Sequence, residues 1–296
     1  MSKFDELRKA HPLFIYHSFD LGENYLRFHF QIDEFHFYPE WTFDKSLWNA
    51  EFPREQAELM TFSLGMAELV SYWKCACCPT VEIRCGGLDE WQIEWWKKLY
   101  WHGLGEFFYR NEIVTTRDDF MSIKAREPAL YSHFPRSLSG TLVPVGGGKD
   151  SVVTLELLKK AGEPITPFVI NPRGATLGCI ETAGIPQSEA VLPRRTIDKT
   201  LLERNAAGWL NGHTPFSAVV AFAALLFGSM RDVRYIALSN ESSANETYVD
   251  GADVNHQYSK STEFERDFRE YCTRIFGEFG EIPEYFSLLR PLSEWQ

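Results

Sequence analysis

A glycine-rich stretch near the centre of the chain carries residue types that suit phosphate binding. Glycines leave no Cβ between the backbone and a ligand, so several N–H groups can point at one anion. A lysine follows as a mobile cation, and an aspartate follows that can hold Mg²⁺ beside a phosphate. The sequence therefore predicts a phosphate cradle formed by Gly146, Gly147, Gly148, Lys149, Asp150 and Ser151.

The cradle lies between an apolar run and a helical pattern. Residues 141–145 read as a strand, residues 152–158 have apolar positions at helical spacing, and Gly162 stands where that helix would end. A helix that begins at the glycines turns the positive end of its dipole toward the anion. We therefore predict a strand–loop–helix unit with the ligand at the start of the helix.

Three kinds of glycine loop compete for this stretch. A Walker A loop needs Gly where this chain has Val143, and Ser or Thr where it has Asp150. A Rossmann loop meets Ser151 at the position of its third glycine. The stretch instead resembles the S-G-G-x-D-S loop of the ATP pyrophosphatase (PP-loop) family, with Gly146 in place of the leading Ser.

That resemblance implies ATP and Mg²⁺ as cofactors. In the family, the loop holds the β- and γ-phosphates of ATP and leaves the α-phosphate open to attack by an oxygen of a second substrate. An adenylated intermediate then forms and pyrophosphate leaves. Asp150 is the candidate metal ligand, and Asn171 and Arg173 are candidates to contact adenine and ribose. The alternatives are a turn without a ligand and, for Asn171 and Arg173, a surface turn.

Composition limits the class of protein. The chain has 296 residues, 15% of them aromatic, and a formal net charge of -11, which disfavours a nucleic-acid partner bound by phosphate neutralisation. The first nine residues lack the apolar segment of a signal peptide. The longest uncharged apolar run, at 215–228, is shorter than the ~18 residues of a membrane span. We expect a soluble cytoplasmic protein without a membrane partner.

Periodicity predicts two structural parts. Alternating aromatic residues at 14–43 predict a β-meander, and helices are expected at about 55–74 and from Asp89 to 101. Further strands are expected at 167–171, 190–192 and 233–238. We therefore predict an α/β fold, with a PP-loop parallel sheet covered by helices on both faces at 136–296. A smaller, aromatic-rich α+β domain is expected at 1–135.

Ligands of such sheets bind beyond the carboxyl ends of the strands. The segment after the last predicted strand, and a second polar segment at 255–261, are rich in hydrogen-bonding groups. A solvated loop and ordinary capping or surface residues are the alternatives. The substrate-binding candidates are Asn240, Glu241, Ser242, Tyr258, Lys260 and Ser261.

Two other groups of residues, a cysteine cluster and three histidines, could in principle bind a metal, but other roles are favoured for both. Cys75, Cys77, Cys78 and Cys85 cluster, but the C-x-x-C pair lacks a second pair, which favours reduced thiols over zinc. His17, His29 and His36 lie among aromatic strands, where packing or surface roles are more common than metal ligation.

Several stretches together resemble one branch of the PP-loop family, the MurL-type epimerases. They are the glycine loop, 211–217, 239–245 and 257–261, and the aromatic segment 103–109 fits as well. The resemblance implies ATP-dependent conversion of the terminal L-Glu of UDP-MurNAc-L-Ala-L-Glu to D-Glu in peptidoglycan precursor synthesis. We expect members of this branch to continue well past residue 292, so the chain is a short member or a piece is missing.

The implied chemistry needs adenylation and two proton transfers. Lys149 and Asp150 would serve adenylation. An acyl-adenylate makes the neighbouring Cα–H acidic, and a base and an acid on opposite faces then invert the centre. Two alternatives stay open: another adenylating PP-loop ligase or nucleobase-modifying synthase, and a module that binds ATP without cleaving it. The candidates for proton transfer are His213, Glu241 and His256, with Cys179 behind them.

Overall fold

A computed structural model describes residues 2–48, 52–129, 132–245 and 258–293. Its helices are α1 (Lys3–Ala10), α2 (Arg54–Trp73), α3 (Glu90–Gly103), α4 (Gly105–Arg110), α5 (Lys149–Lys160), α6 (Gly174–Thr182), α7 (Lys199–Ala206), α8 (Phe216–Met230) and α9 (Thr262–Ile275). Its strands are β1 (Leu13–Leu21), β2 (Tyr25–Ile32), β3 (Phe35–Phe37), β4 (Glu40–Thr42), β5 (Thr80–Gly87), β6 (Ser122–Arg126), β7 (Thr141–Pro144), β8 (Ile165–Phe168), β9 (Arg194–Thr196), β10 (Tyr235–Leu238) and β11 (Glu284–Ser287).

The larger sheet is mixed and has the strand order β6-β5-β1-β2-β4-β9, with β3 also paired to β2. The antiparallel pairs β1–β2, β2–β3 and β2–β4 confirm the predicted meander. On β2, alternate residues Leu26, Phe28 and Phe30 are fully buried, as expected for a strand with one face in the core.

Two long helices complete this part of the core. α2 confirms the helix predicted at 55–74, and most of its residues are buried because it packs against both β1 and α8. α3 begins as predicted at Asp89, whose carboxylate accepts a hydrogen bond from the backbone N–H of Gln92 at 2.7 Å. The same cap fixes where the helix starts.

The smaller sheet is parallel, with the order β11-β10-β7-β8. Its side chains alternate between two separate hydrophobic clusters. Leu142, Phe168 and Ile236 face the cluster that contains α8, whereas Val143 and Ala237 face the cluster that contains α5 and α6. Helices therefore cover both faces of this sheet, and the α/β class is confirmed.

The strand predictions in this sheet were incomplete. The strand expected at 190–192 is reduced to a single bridge between Phe168 and Val191, since Pro193 follows and cannot donate a backbone hydrogen bond. The edge strand β11 was not predicted. Burial alternates along its four residues, but Tyr285 and Phe286 are adjacent apolar residues, so the sequence itself shows no alternation.

Elements from both sides of residue 135 meet in shared structures. β9 pairs with β4 in the larger sheet, and α8 packs against α2 in one hydrophobic core. The division into domains at residue 135 stays a prediction. Within the described residues, no helix combines the length and the apolar character needed to cross a bilayer.

Candidate functional site

A cleft of about 350 Å³ opens beyond the carboxyl ends of β7, β8 and β10. One wall is the glycine loop with the first turn of α5, and the other is the first turn of α8, because these helices cover opposite faces of the sheet. The described residues that line the cleft are Pro144, Val145, Gly146, Gly148, Asp150, Ser151, Phe168, Ile170, Phe216, Ser217, Val220, Leu238, Ser239 and Asn240.

The glycine loop leaves room for a ligand next to its backbone. Gly147 has φ +84°, a left-handed conformation that glycine adopts without strain. A Cβ built at Gly146 or Gly148 would have no neighbouring atom within 4 Å, so only glycine's lack of a side chain keeps that space open. Ser151 Oγ donates a hydrogen bond to the Gly148 carbonyl at 2.9 Å, which braces the loop. The loop therefore fits the predicted phosphate cradle.

Charged groups flank the cradle. Asp150 is half-buried and lines the cleft, so this wall contains a carboxylate, the type of oxygen ligand that Mg²⁺ prefers; its metal role stays a prediction. Lys149 is 59% exposed, and its Nζ lies 3.9 Å from Glu241 Oε1. The start of α5 and Lys149 together favour an anion in this wall.

The polar segment after β10 reaches the cleft as predicted. Ser239 Oγ accepts a hydrogen bond from Thr154 Oγ1 at 2.8 Å, which ties this segment to α5. The amide of Asn240 donates to Ser287 Oγ on β11 at 3.1 Å. The Glu241 carbonyl accepts from Arg290 at 3.0 Å, and the backbone N–H of Ser242 donates to Leu292 at 3.0 Å. Binding roles for Asn240, Glu241 and Ser242 stay predictions.

Nucleotide contacts by Asn171 and Arg173 stay predictions. Asn171, at φ +53°, accepts a hydrogen bond from the backbone N–H of Arg195 at 2.7 Å and donates to its carbonyl at 3.0 Å. Arg173 is exposed at the start of α6. Neither is among the described lining residues, whereas Phe168 and Ile170 are. The amide of Asn171 fixes the backbone of β9.

The residues at 258–261 have structural contacts. The buried Tyr258 hydroxyl donates to Asp267 at 2.9 Å, and burial, followed by the charge of Asp267, raises the pKa of Tyr258. Ser261 Oγ accepts from the backbone N–H of Phe264 at 3.1 Å and caps α9. Lys260 is exposed, and its carbonyl accepts from Arg290 at 2.8 Å. These contacts match the capping and surface alternative.

The proton-transfer candidates are dispersed. Glu241 lies next to the cradle through Lys149. His213 Nδ1 is 3.9 Å from Glu106 Oε2 on α4, and Cys179 packs at the edge of the cluster below α5. His256 lies outside the described residues. Among these candidates, Glu241 has a described contact with a residue of the cradle, Lys149.

Sequence reasoning missed the α8 wall. Phe216, Ser217 and Val220 line the cleft, but no binding role was predicted for them. α8 is apolar along its whole length and mostly buried, so its pattern does not reveal which side faces a ligand. Helical spacing of Phe216 and Val220 at the first turn was the available signal.

The cysteine cluster lies away from this cleft. Cys75, Cys77 and Cys78 are buried free thiols, and Cys85 is half-buried. Burial raises the pKa of Cys78 and of Cys85 to about 12, so both are protonated at neutral pH. No group of three or more potential metal ligands with suitable placement occurs among the described residues.

Comparisons with known proteins point to one family. The chain matches the family described as MurL N-terminal domain across residues 5–288. It is 34% identical over 227 residues to a UDP-N-acetyl-alpha-D-muramoyl-L-alanyl-L-glutamate epimerase from Micromonospora sp., covering 76% of this chain and 49% of that protein. It is 35% identical over 230 residues to the epimerase of the same name from Salinispora tropica, covering 76% of this chain and 48% of that protein.

A third relative with that name, from Xanthomonas oryzae pv. oryzae, is 34% identical over 227 residues, or 76% of this chain and 49% of the relative. The chain thus spans about half the length of the curated relatives that it matches. No solved structure is significantly similar to it.

Proposed function

This chain belongs to the MurL N-terminal domain family, and from that membership we propose that it carries out the ATP-dependent adenylation step of an epimerase. The proposed substrate is UDP-MurNAc-L-Ala-L-Glu, whose terminal L-Glu becomes D-Glu in peptidoglycan precursor synthesis. The similarity to three proteins named as this epimerase supports the choice of substrate.

One observation supports the adenylation step most directly. The glycine loop lies at the start of α5 and lines a cleft of about 350 Å³, within the usual range of small-molecule sites. Open space at the Cβ positions of Gly146 and Gly148 allows phosphate oxygens to approach the backbone. This arrangement suits a nucleotide triphosphate better than an uncharged ligand.

The proposed reaction begins at the α-carboxylate of the substrate's terminal Glu. One carboxylate oxygen attacks the α-phosphorus of ATP, the bond to the β-phosphate bridging oxygen breaks, and pyrophosphate leaves. The resulting acyl-adenylate has an electron-poor carbonyl, which makes the Cα–H far more acidic than it is beside a carboxylate. A base removes that proton, an acid returns one to the opposite face, and water attacks the carbonyl carbon to release AMP.

We assign these steps to residues of the glycine loop and to residues next to it. The backbone N–H groups of the loop would bind the β- and γ-phosphates, and Lys149 would offset the charge that develops on the leaving pyrophosphate. Asp150 would hold Mg²⁺, which neutralises phosphate charge when bound. Glu241, 3.9 Å from Lys149, is the described candidate for proton transfer nearest the cradle; His213 and His256 remain candidates.

The proposal is tested by an end-point assay with ATP, Mg²⁺ and UDP-MurNAc-L-Ala-L-Glu. AMP, pyrophosphate and the Glu enantiomers of the hydrolysed product are measured. AMP together with D-Glu is the expected result. AMP without D-Glu would retain the adenylation chemistry and reject epimerisation by this chain. ATP that binds without forming AMP would favour the non-cleaving module.

The variant Asp150→Asn sharpens this assay. If Asp150 anchors Mg²⁺, pyrophosphate release should fall by at least about a hundredfold, because the ligand charge is lost. Near-normal turnover in this variant would remove Asp150 from the proposed site.

A further inference from the structure

The first residue of α8 has an exposed aromatic side chain, although the helix is mostly buried. Phe216 is 44% exposed and lines the cleft, whereas most of the following residues of α8 are buried. Val220, one turn later, lines the same wall. An exposed aromatic ring alone is common on protein surfaces, so its immediate surroundings must decide whether it has a role.

A buried ion pair stabilises the position of this ring. The guanidinium carbon of Arg195 lies 5.7 Å from the Phe216 ring centroid, which is cation–π distance. Arg195 donates to both oxygens of Glu68, at 2.5 and 2.6 Å, and the Glu68 side chain is completely buried. Trp41 Nε1 also donates to Glu68 at 2.9 Å. The cation beside Phe216 is therefore fixed by the core.

The backbone of Arg195 is fixed as well. The side chain of Asn171 bonds to both the N–H and the carbonyl of Arg195, and β9 pairs with β4. Asn171 directly follows Ile170, which lines the cleft beside Phe168. The end of β8, the Arg195 guanidinium and the Phe216 ring are thus connected in one rigid wall.

This wall faces the glycine loop across the cleft. The loop supplies polar groups and backbone N–H donors, whereas the α8 side contributes Phe216 and Val220 and the end of β8 contributes Ile170. A ligand with an anionic chain at one end and a flat apolar ring at the other matches both walls. ATP has this form.

We propose that Phe216 is the platform on which the adenine ring of ATP stacks, with Arg195 and Glu68 as positioning residues behind it. This inference rests on the proposed function, because it assumes triphosphate binding at the glycine loop. Stacking on an aromatic ring does not depend on which base stacks, so we expect Phe216 to contribute to affinity for GTP as well.

The test compares two ligands that share phosphates but not a base. Binding of Mg·ATP and of Mg²⁺ with inorganic tripolyphosphate is measured by calorimetry for the full chain and for Phe216→Ala. The variant should bind ATP roughly ten- to a hundredfold more weakly and tripolyphosphate within about twofold of the unaltered chain. Phe216→Tyr, which keeps the ring, should restore ATP affinity.

A matched control removes an exposed apolar side chain elsewhere. Leu202 on α7 is 55% exposed, and Leu202→Ala should change neither affinity. Equal weakening of both ligands by Phe216→Ala, or no weakening of ATP, would overturn the platform. If the unaltered chain binds neither ligand, the proposed nucleotide site fails and the platform with it. If it binds ATP and only the Phe216 effect is absent, the platform alone fails.

Discussion

Two ion pairs near the cleft, one beside the Phe216 ring and one at the glycine loop, differ in several physical respects. Arg195 and Glu68 form a bidentate pair at 2.5 and 2.6 Å, with the Glu68 side chain completely buried. Lys149 and Glu241 are 3.9 Å apart, and the side chain of Lys149 is 59% exposed, whereas that of Glu241 is 11% exposed. Burial alone would lower the pKa of Arg195, but the charge and hydrogen bonds of Glu68 outweigh burial and raise that pKa.

The difference separates a fixed wall from an adaptable one. A buried pair cannot lose one partner without leaving an uncompensated charge in the core, so Arg195 must stay where it is. Lys149 is exposed and its 3.9 Å contact with Glu241 is longer, so Lys149 can turn toward a phosphate oxygen at a smaller cost than Arg195 could leave Glu68. We infer that the α8 wall sets the shape of the cleft, whereas the α5 wall responds to the ligand.

Removing one charge from each pair should give the largest contrast. Arg195→Met should lower the free energy of unfolding by about 3–5 kcal/mol, because Glu68 is left buried without its counter-charge. Lys149→Met should lower it by less than about 1 kcal/mol. Urea unfolding at neutral pH measures both. Equal losses in the two variants would show that the walls do not differ as described.

Lys149→Met, which should have little effect on stability, should have a large effect on activity. Lys149→Met should slow pyrophosphate release by roughly a hundredfold, since a positioned cation no longer meets the developing charge. Lys199, an exposed lysine at the start of α7 that pairs with Glu203, provides the control variant Lys199→Met, which should release pyrophosphate at the unaltered rate. A normal rate in Lys149→Met would place its cation outside the reaction.

Alanine substitutions at two neighbouring glycines should affect different properties, one the stability and the other ATP binding. Gly147→Ala should cost about 1–2 kcal/mol of stability, because φ +84° is unfavourable for alanine and the added Cβ lies 3.2 Å from Thr176 Cγ2. Gly148→Ala has negative φ and open space at its Cβ, so stability should be unchanged while ATP binding weakens. Thermal unfolding and calorimetry together check this pair; unweakened ATP binding by Gly148→Ala would contradict the cradle.

Lowering the pH should decrease stability through His29, which belongs to neither ion pair, and this effect should be the smallest. Burial, followed by His17 and His36, lowers the pKa of His29 to about 4. As pH falls from 6.5 to 4, the unfolded chain binds a proton that the folded chain resists, so stability decreases. After discounting for solvent screening, we expect a loss of about 1 kcal/mol.

His29→Gln should flatten this pH dependence, and the exposed His133→Gln should leave it unchanged. Urea unfolding between pH 7 and pH 4.5 distinguishes them. An equal slope in all three proteins would assign the acid sensitivity to other groups.

The α5 wall was predictable because its chemistry is local. Three glycines, a cation and a carboxylate occupy consecutive positions, and Gly147 needs the left-handed backbone that glycine favours. The segment at Ser239 and Asn240 was also found, because strand ends of a parallel sheet meet at one edge. Periodicity likewise predicted α2, α3 and the meander.

The α8 wall was harder to predict because, beyond the helical spacing of Phe216 and Val220, it depends on distant pairings. Arg195 meets Glu68 across 127 positions, and β9 joins a sheet built from the first part of the chain. Asn171 was singled out as a nucleotide contact, which stays a prediction, but its hydrogen bonds to the backbone of β9 were not foreseen. Hydrogen bonds to the backbone of a distant residue leave no local pattern to read.

The most direct test follows one oxygen atom. The α-carboxylate of the terminal Glu of UDP-MurNAc-L-Ala-L-Glu is labelled with ¹⁸O in both oxygens. The labelled substrate is incubated with this chain, ATP and Mg²⁺, and the AMP is analysed by mass spectrometry. If the carboxylate attacks the α-phosphorus and water then attacks the carbonyl carbon, AMP carries one ¹⁸O atom. ADP in place of AMP would contradict the proposed acyl-adenylate, and unlabelled AMP would contradict attack by the carboxylate followed by attack of water on the carbonyl carbon.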